Sequence, residues 1–234
     1  NNQHTLEDLA GRIATQIEAD SISILNAIKD KQFLNKNNFT EKSVLGMFVP
    51  NSYQFYWNST GEDFRNKMLI EYNRFWTDKR IKRARELKLT RTQVIALASI
   101  VQKETAKISE RPTVAGLYLN RIKRRIPLQA DPTIIYALKE KHGKDFVVKR
   151  VLLKDLKIKS PYNTYQNRGV PPTLIAMPDI SSIDAVLFAQ KHNYIYMCAS
   201  VDKIGYHAFA STLRKHNINA AKYHRWMNQQ GINR

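Results

Sequence analysis

The stretch TRTQVIALASIVQKETAKISERPTVAGLYLN, residues 90–120, contains two helix starts from which the fold can be predicted. Thr90 and Gln93 have the spacing of a capping box, in which each side chain satisfies a backbone N–H of the first helical turn. Pro112 suits the first turn of a second helix, because the N–H groups of that turn have no intrahelical partner. We therefore predict two consecutive helices with a short break between them. The apolar stripe of the second helix consists of Val114, Leu117, Tyr118 and Ile122.

Glu104 lies on the apolar face of the first of these helices. At about 100° per residue, it points in nearly the same direction as Leu97, Val101 and Ile108. A carboxylate on a core face is costly to ionise, so its pKa is expected to rise, as a general acid working near neutral pH requires. The alternative is an ordinary ion pair with Lys107 at the helix end, where the carboxylate reaches water. The spacing alone leaves both interpretations open.

Three other residues have structural explanations at this stage. Asp131 precedes Pro132 and is expected to be the N-cap of a third helix. Glu110 is expected to interact with the dipole of the helix that begins at Pro112. Cys198 lies in an apolar strand and is interpreted as a core residue.

Metal and cofactor sites are not indicated. His207 and His216 would need a third ligand at a recognisable spacing to bind zinc, and none is found. The eight glycines are scattered and form no phosphate-binding loop. We therefore expect no metal and no cofactor.

The composition indicates a globular chain with an excess of positive charge. The 234 residues are 43% hydrophobic, which is enough for one large domain or two small ones. Cys198 is the single cysteine, so no intrachain disulfide is possible. The net charge of +18 fits either solvated helix faces or a surface that approaches a polyanion.

The remaining helices and strands are predicted from periodicity. Two short helices are expected within residues 5–30, and a long amphipathic helical region within residues 61–88. The alternation of aromatic residues within 43–57 predicts a strand and a turn. Two strands are expected in NYIYMCAS (193–200) and YHAFA (206–210), followed by a helix from about Thr212 to Gln230 that Gly231 ends.

Residues 160–182, SPYNTYQNRGVPPTLIAMPDISS, are predicted to form a stiff connection rich in turns. Their tyrosine and proline content and low charge argue against disorder. A connection this long in a folded domain is usually functional.

Five pieces of this sequence together resemble the endolytic murein transglycosylase family (MltG, or YceG-like). They occur in the family's order and span roughly residues 45–234. The pieces are ASIVQKET (98–105), ERPTVAGLYLNR (110–121), LQADPTIIYAL (128–138), SPYNTYQNRGVPPTLIAMP (160–178) and HAFASTLRKHN (207–217).

The resemblance implies a lytic transglycosylase. Such enzymes cut the β-1,4 bond between N-acetylmuramic acid and N-acetylglucosamine within nascent glycan strands and leave a 1,6-anhydro-muramyl end without consuming water. The family's catalytic glutamate falls on Glu104, which favours the functional interpretation of that residue. One carboxylate can suffice, because the substrate's own C6 hydroxyl is the nucleophile.

The resemblance also implies a set of substrate-binding residues in the cleft. They are Gln129, Asp131, Ser160, Tyr162, Asn163, Thr164, Pro171, Pro172, His207, Phe209, Thr212, His216 and Asn217. The alternative for these residues is that they hold the long loop in place.

Three positions depart from the family pattern. Gln102 replaces a glutamate, Asn51 replaces an acid and Lys215 stands where a glutamate is usual. None of them affects Glu104, but no role for an acid can be carried over to these positions.

The implied fold class is α+β. It comprises a mainly helical catalytic domain with small β elements at residues 46–234, preceded by the end of a small LysM-like α/β subdomain at residues 1–45. Family members carry an N-terminal transmembrane helix. We expect it to precede this sequence and to place the domain on the outer, periplasmic side of the bacterial cytoplasmic membrane.

The expected partners are peptidoglycan glycan strands, cell-wall synthases and an anionic membrane or wall surface. Nucleic acid is not expected, because the aromatic residues are not interleaved with a basic face. Two alternatives remain open: a non-catalytic peptidoglycan-binding scaffold and a basic nucleic-acid-binding module.

Overall fold

A computed structural model describes residues 3–230. The predicted helix end at Gly231 lies outside the described residues. Within them the chain is mainly helical with one two-stranded antiparallel sheet, which confirms the α+β class. The elements are α1 (Leu6–Ala14), α2 (Ser21–Lys29), α3 (Lys31–Lys36), α4 (Gly61–Phe75), α5 (Asp78–Glu86), α6 (Arg91–Glu104), α7 (Arg111–Lys123), α8 (Asp131–His142), α9 (Ile180–Leu187), β1 (Tyr196–Ala199), β2 (His207–Ala210) and α10 (Leu213–Gln229).

The chain forms two compact units, and both α6 and α9 contribute residues to each. The first unit comprises Asn1–Ser99 and Pro172–Ile183, and the second comprises Ile100–Pro171 and Asp184–Arg234. Residues 3–45 form α1, α2 and α3 within the first unit. The predicted domain boundary after residue 45 stays a prediction.

In the first unit, α2 packs against α1 and α4. Ile24 and Ile28 of α2 are completely buried, and the ring of Phe64 in α4 stacks on Phe48. Gly61 allows the close approach of α4 to α2, since a Cβ there would lie 2.8 Å from the Ser23 carbonyl oxygen. The apolar faces of these helices therefore form the core of this unit, as the periodicity predicts.

In the second unit, the β1–β2 hairpin packs against α10. Its register pairs Tyr196 with Ala210 and Ala199 with His207. Thr212 caps α10 by accepting a hydrogen bond from the Lys215 N–H. The two strands and the final helix lie where the sequence predicts them.

The two helix starts used in the sequence analysis are confirmed. Thr90 N donates to Gln93 Oε1 at 2.9 Å, and Gln93 N donates to Thr90 Oγ1 at 3.2 Å. Pro112 lies in the first turn of α7. The break between α6 and α7 contains a short 3-10 turn, Ile108–Glu110.

Some sequence predictions are wrong. Residues 43–57 contain no strand but a 3-10 helix, Val44–Met47. Tyr53 and Phe55 keep the alternating burial, yet no neighbouring strand pairs with this segment. The helical region predicted at 61–88 is confirmed, and it consists of two helices because Thr77 caps α5 with its side chain. Ile108 lies beyond the end of α6 and is 63% exposed, so it does not share the buried face of Glu104.

No helix within residues 3–230 is long and apolar enough to span a lipid bilayer.

Candidate active site

The second unit contains a cavity of about 220 Å³ in which acidic, basic and phenolic side chains meet. Its walls come from the end of α6, one face of α7, the start of α8, two connecting segments and the β hairpin. The lining residues are Glu104, Leu117, Tyr118, Arg121, Leu128, Gln129, Asp131, Tyr165, Met197, Cys198, Ala199 and His207.

A larger cavity, of about 450 Å³, lies in the first unit. Its walls are mainly apolar and aromatic, and Arg12 is the one charged residue among the described residues that line it. Among the described residues that line it, Tyr53 is the one side chain of a kind that serves in general acid–base catalysis, and its hydroxyl group donates to the Val49 carbonyl. Chemistry rather than size therefore identifies the cavity around Glu104 as the candidate active site.

Glu104 ends α6 and is half-buried at this cavity. Burial raises the pKa of its carboxyl group from 4.5 to about 7. The hydrogen bond from Tyr118 and the charge of His207 act in the opposite direction, whereas the charge of Asp131 raises the pKa further. The carboxyl group can therefore hold a proton near neutral pH and release it within the cavity.

Tyr118 is the direct partner of Glu104. Its hydroxyl group donates a hydrogen bond of 2.7 Å to Glu104 Oε1. The phenol ring is buried in α7, and burial raises the pKa of the hydroxyl group well above 10. The hydroxyl group therefore remains a donor and fixes the orientation of the carboxyl group. Lys107, the partner considered from the sequence, is exposed and lies over the ring of Tyr206.

Arg121, one turn after Tyr118 on α7, fixes the wall formed by residues 127–129. Its Nε donates to the Ile195 carbonyl at 2.7 Å, while Nη1 donates to the Leu128 carbonyl and to Gln129 Oε1. Burial lowers the pKa of its guanidinium group. Arg121 thereby links α7, the 127–129 segment and the residue that precedes β1.

Gln129 has a left-handed backbone with a φ of 54°, which non-glycine residues adopt rarely and mostly where surrounding contacts impose it. Its backbone N–H donates to the Thr164 carbonyl at 3.0 Å. The Thr164 hydroxyl group accepts from the Ala130 N–H and contacts the hydroxyl group of Thr133. Thr164 is thus a buried support for the strained residue at the cavity wall.

Asp131 is the second carboxylate of the cavity, and its predicted N-cap role is wrong. Ala130 occupies the N-cap position of α8, and Asp131 is the first helical residue. Asp131 Oδ1 accepts a hydrogen bond of 2.6 Å from the Tyr165 hydroxyl group. The next residue, Pro132, has no N–H group that could donate to the Asp131 carboxylate. This carboxylate therefore stays available to the cavity.

His207 is held by Glu110, a residue that sequence reasoning assigned to a helix dipole. Glu110 Oε1 accepts from the His207 backbone N–H at 2.6 Å, and Oε2 lies 2.9 Å from His207 Nδ1. A carboxylate has no hydrogen to donate, so the hydrogen of this contact lies on Nδ1. Because His207 lines the cavity, Nε2 is the ring nitrogen left to interact with a ligand.

Cys198 is half-buried and lines the cavity from β1, so its interpretation as a core residue is wrong. Strand β1 has a helix on one side and a cavity on the other, so its residues are all of intermediate burial. Burial raises the pKa of the thiol, which favours the neutral form.

The cavity brings together four of the sequence-predicted site residues: Glu104, Gln129, Asp131 and His207. Asn163 is completely buried and donates to the carbonyl groups of Leu156 and Ile158. Tyr162 packs against Tyr136, and Ser160 accepts from the Tyr162 N–H in a turn. These last three side chains support the loop and do not line the cavity.

The other predicted residues also lie outside the cavity lining. Phe209 stacks on Tyr194, and His216 stacks on Tyr196. Thr212 is the cap of α10 and Asn217 is exposed on that helix. Pro171 is a buried residue of the second unit, whereas Pro172 is an exposed residue of the first unit.

Sequence reasoning missed Tyr118, Arg121 and Tyr165 as cavity residues. A signal existed for Tyr118, because a buried tyrosine hydroxyl group usually needs a hydrogen-bond partner. Arg121 lies three residues later on the same helix face, where a cation in an apolar stripe is unusual. No spacing connects Tyr165 with Asp131, which lies 34 positions earlier in the sequence.

Among residues 3–230, no group of three or more histidine, cysteine, aspartate or glutamate side chains could hold a metal ion.

Comparison with known proteins bears directly on this site. The model of the YceG-like family matches residues 1–222. The chain belongs to the YceG-like family. An endolytic murein transglycosylase from Bacillus subtilis (strain 168) is 31% identical over 232 residues, which cover 93% of this chain and 62% of that protein. One from Streptococcus pneumoniae serotype 2 is 33% identical over 135 residues, or 58% of this chain and 24% of that protein. The chain thus spans less than two thirds of either relative.

The fold of this YceG-like chain is shared with a solved structure. The crystal structure of a yceG-like protein from Listeria monocytogenes superposes with a TM-score of 0.75 at 28% identity. The match covers 93% of this chain and 74% of the other. The resemblance identified from the five sequence pieces is therefore confirmed at the level of the family.

Proposed function

We propose that this protein is a lytic transglycosylase that acts on peptidoglycan. Its reaction would cut the β-1,4 bond between N-acetylmuramic acid and N-acetylglucosamine inside a glycan strand and produce a 1,6-anhydro-muramyl end. The observation that carries the proposal is Glu104, whose burial raises the pKa to about 7 beside the hydroxyl group of Tyr118. The names of the relatives support the same reaction class.

In the proposed first step, Glu104 donates its proton to the glycosidic oxygen. The bond between C1 of the muramyl residue and that oxygen breaks, and positive charge develops at C1. The nearby Asp131 has one oxygen bonded to Tyr165 and adds negative charge to the cavity. Such a charge stabilises an oxocarbenium-like transition state.

In the second step, the C6 hydroxyl group of the same sugar attacks C1. The carboxylate of Glu104 accepts the hydroxyl proton as the new C1–O6 bond forms. Glu104 thereby returns to its protonated state, and no water is consumed. A hydrolase would instead need a carboxylate to activate water or to form a glycosyl ester.

His207 is assigned a substrate-binding role in this scheme. Glu110 keeps a hydrogen of His207 on Nδ1, so Nε2 accepts a hydrogen bond from a sugar hydroxyl group when the imidazole is neutral and donates one when it is charged. Gln129 presents an amide to the same cavity, held by Arg121 and Thr164.

The wider setting is also a proposal. Residues 1–45 would be the end of a LysM-like subdomain, and the protein would work on the outer side of the cytoplasmic membrane. There it would meet glycan strands as cell-wall synthases release them.

Digestion of uncrosslinked glycan strands, followed by mass spectrometry, tests the proposed function. We expect internal cleavage and fragments with anhydro-muramyl ends, each lighter by one water than a hydrolysis product. Reducing muramyl ends would indicate a hydrolase. Binding of strands without cleavage would support the peptidoglycan-binding scaffold instead, and a salt-dependent shift of plain DNA would support the nucleic-acid-binding module.

A further inference from the structure

The connection between α8 and the short 3-10 turn Asp155–Lys157 exposes an unusual concentration of apolar surface. Leu153 is 84% exposed, Val147 is 74% exposed, and Leu152 and Phe146 are 44% and 42% exposed. All four lie within eight residues of one another. Large apolar side chains that cluster on a surface commonly mark a site of interaction with a protein or a membrane.

The stretch that comprises this connection, the 3-10 turn and the two residues after it, residues 144–159, is strongly basic. Six cations and two acids give it a net charge of +4. All six cations are exposed, namely Lys144, Lys149, Arg150, Lys154, Lys157 and Lys159. The cations flank the apolar residues on both sides, which is the pattern of segments that bind the interface of an anionic bilayer.

Local hydrogen bonds hold the second half of this segment in its exposed conformation. Asp155 Oδ2 accepts from the Leu152 N–H at 2.8 Å, which closes a turn. Asn163 fixes the following residues by donating to the carbonyl groups of Leu156 and Ile158. These hydrogen bonds constrain the backbone on this side, where Leu152 and Leu153 are exposed to solvent.

Two kinds of anionic partner have the right charge, a lipid surface and a soluble anionic polymer. A polymer of charged sugars or phosphates would satisfy the lysines, but it offers no apolar region for the four exposed side chains. A bilayer offers both, because its headgroups are charged and the layer beneath them is apolar. The combination of apolar and basic residues therefore favours lipid.

We propose that residues 144–154, the docking loop, bind the surface of a bilayer that contains anionic lipid. Phe146, Val147, Leu152 and Leu153 enter the interface while the lysine and arginine residues contact headgroups. The proposal does not depend on the reaction at Glu104. Docking would, however, hold the cavity close to the bilayer surface, because α8 connects Asp131 in the cavity to the docking loop and is only about 18 Å long.

Vesicle flotation of the purified chain tests the docking loop. The vesicles are phosphatidylcholine alone or a mixture of phosphatidylcholine and phosphatidylglycerol. We expect binding to the mixture, reduced by salt, and little binding to phosphatidylcholine alone. Equal binding to both vesicles, or no binding to either, would overturn the proposal.

Two double variants separate the apolar and the ionic contributions. Val147→Ser with Leu153→Ser removes apolar surface and keeps the charge, while Lys149→Gln with Arg150→Gln does the reverse. Each should weaken binding about tenfold or more. Ile22→Ser with Ile204→Ser is the matched apolar control, with 69% and 76% exposed residues, and Lys82→Gln with Arg85→Gln on α5 is the charge control.

Both controls should bind within about twofold of the unmodified chain. If the charge control loses as much as the docking-loop charge variant, binding is due to diffuse charge and the proposal is wrong. If only the docking-loop charge variant loses binding, the segment recognises a polyanion and not a bilayer. As a direct measure of insertion, the emission of a Phe146→Trp variant, compared with that of the unmodified chain, should shift to shorter wavelength on addition of the mixed vesicles.

Discussion

The end of α6 and the turn that follows it each carry a glutamate, six positions apart, in contrasting surroundings. Glu104 is half-buried at the cavity, and its carboxyl group accepts one hydrogen bond, from Tyr118. Glu110 is only 5% exposed, and both of its oxygens contact His207. The more deeply buried glutamate is thus the one with the more complete set of partners.

This contrast distinguishes two uses of a carboxyl group. Desolvation without a cation as the main partner favours the protonated form, so Glu104 is suited to transfer a proton. Glu110 has two donors on one histidine, which suits it to hold that histidine in place. From the sequence, Glu104 is expected on an apolar helix face and Glu110 at a helix dipole, so the contact of Glu110 with His207, 97 positions away, is not predicted.

The largest expected effect is on Glu104. Glu104→Gln keeps the size of the side chain but removes the proton that is transferred. The rate of formation of anhydro-muramyl ends should fall by about 10²–10⁴-fold, while glycan binding should survive. Glu41→Gln, at an exposed position of the first unit, is the matched control and should leave the rate unchanged. Similar rates for the two variants would remove Glu104 from the mechanism.

Glu110→Gln should have a smaller effect of a different kind. The amide can still accept from the His207 backbone, but its NH₂ group would face Nδ1 and favour a hydrogen on Nε2. His207 would then lose its acceptor toward the cavity, and kcat/KM should fall roughly 10–100-fold. Measurement of kcat and KM for Glu110→Gln and His207→Gln should show losses of similar size in the two variants. If the activity of Glu110→Gln falls only in proportion to the fraction of the variant that is unfolded, Glu110 is a purely structural residue.

The unfolding free energy should depend on pH through Glu104. Its pKa is higher in the folded chain than the ordinary 4.5, so its contribution to stability is fully present below about 4.5 and is lost as the pH rises through about 7. Glu104→Gln lacks this dependence. Relative to the unmodified chain, the variant should therefore gain up to about 3 kcal/mol between pH 4 and pH 8, with nearly all of the gain, up to about 1.4 kcal/mol for each pH unit, falling between pH 4.5 and about pH 7.

Urea unfolding at the two pH values measures this difference. Glu41→Gln again serves as the control and should show no such gain. A Glu104→Gln variant whose relative stability is independent of pH would mean that the carboxyl group titrates alike in the folded and unfolded chains.

The smallest effect is expected for Tyr118→Phe. The Tyr118 hydrogen bond lowers the pKa of Glu104, so its removal should raise that pKa. Because the first step needs protonated Glu104, activity should persist to higher pH in the variant. The midpoint of the alkaline limb of kcat/KM measures this, with Tyr136→Phe as a control from α8 outside the cavity lining. A shift toward lower pH would contradict the assigned role of the hydrogen bond.

Local signals in the sequence predict much of this molecule. The capping box at Thr90, Pro112 in the first turn of α7 and the apolar stripes correctly place most helices, and the five family pieces identify the family. The strand predicted within 43–57 fails because alternating burial also occurs in an extended segment without a pairing partner.

Long-range pairing explains what the sequence does not reveal about the site. Tyr165 reaches Asp131 and Glu110 reaches His207 across 34 and 97 positions, respectively. Periodicity describes which face of an element is apolar, but not which residue of a distant element meets it. Asn163 and Thr164 illustrate the converse. Their polar side chains resemble ligand-binding groups, but Asn163 donates to the Leu156 carbonyl and Thr164 accepts from the Ala130 N–H, so both hold the backbone of other segments in place.

Titration of the Glu104 carboxyl group itself tests most directly whether this group holds a proton at neutral pH. Carbon-13 NMR of side-chain carboxyl groups, with Glu104→Gln to assign the signal and Glu110→Gln to show that a different signal is lost, gives the midpoint without any substrate. We expect a pKa of about 7 for Glu104 in the folded chain. A midpoint near the ordinary 4.5 would show that the cavity does not keep the carboxyl group protonated at neutral pH, and would contradict its role as the acid.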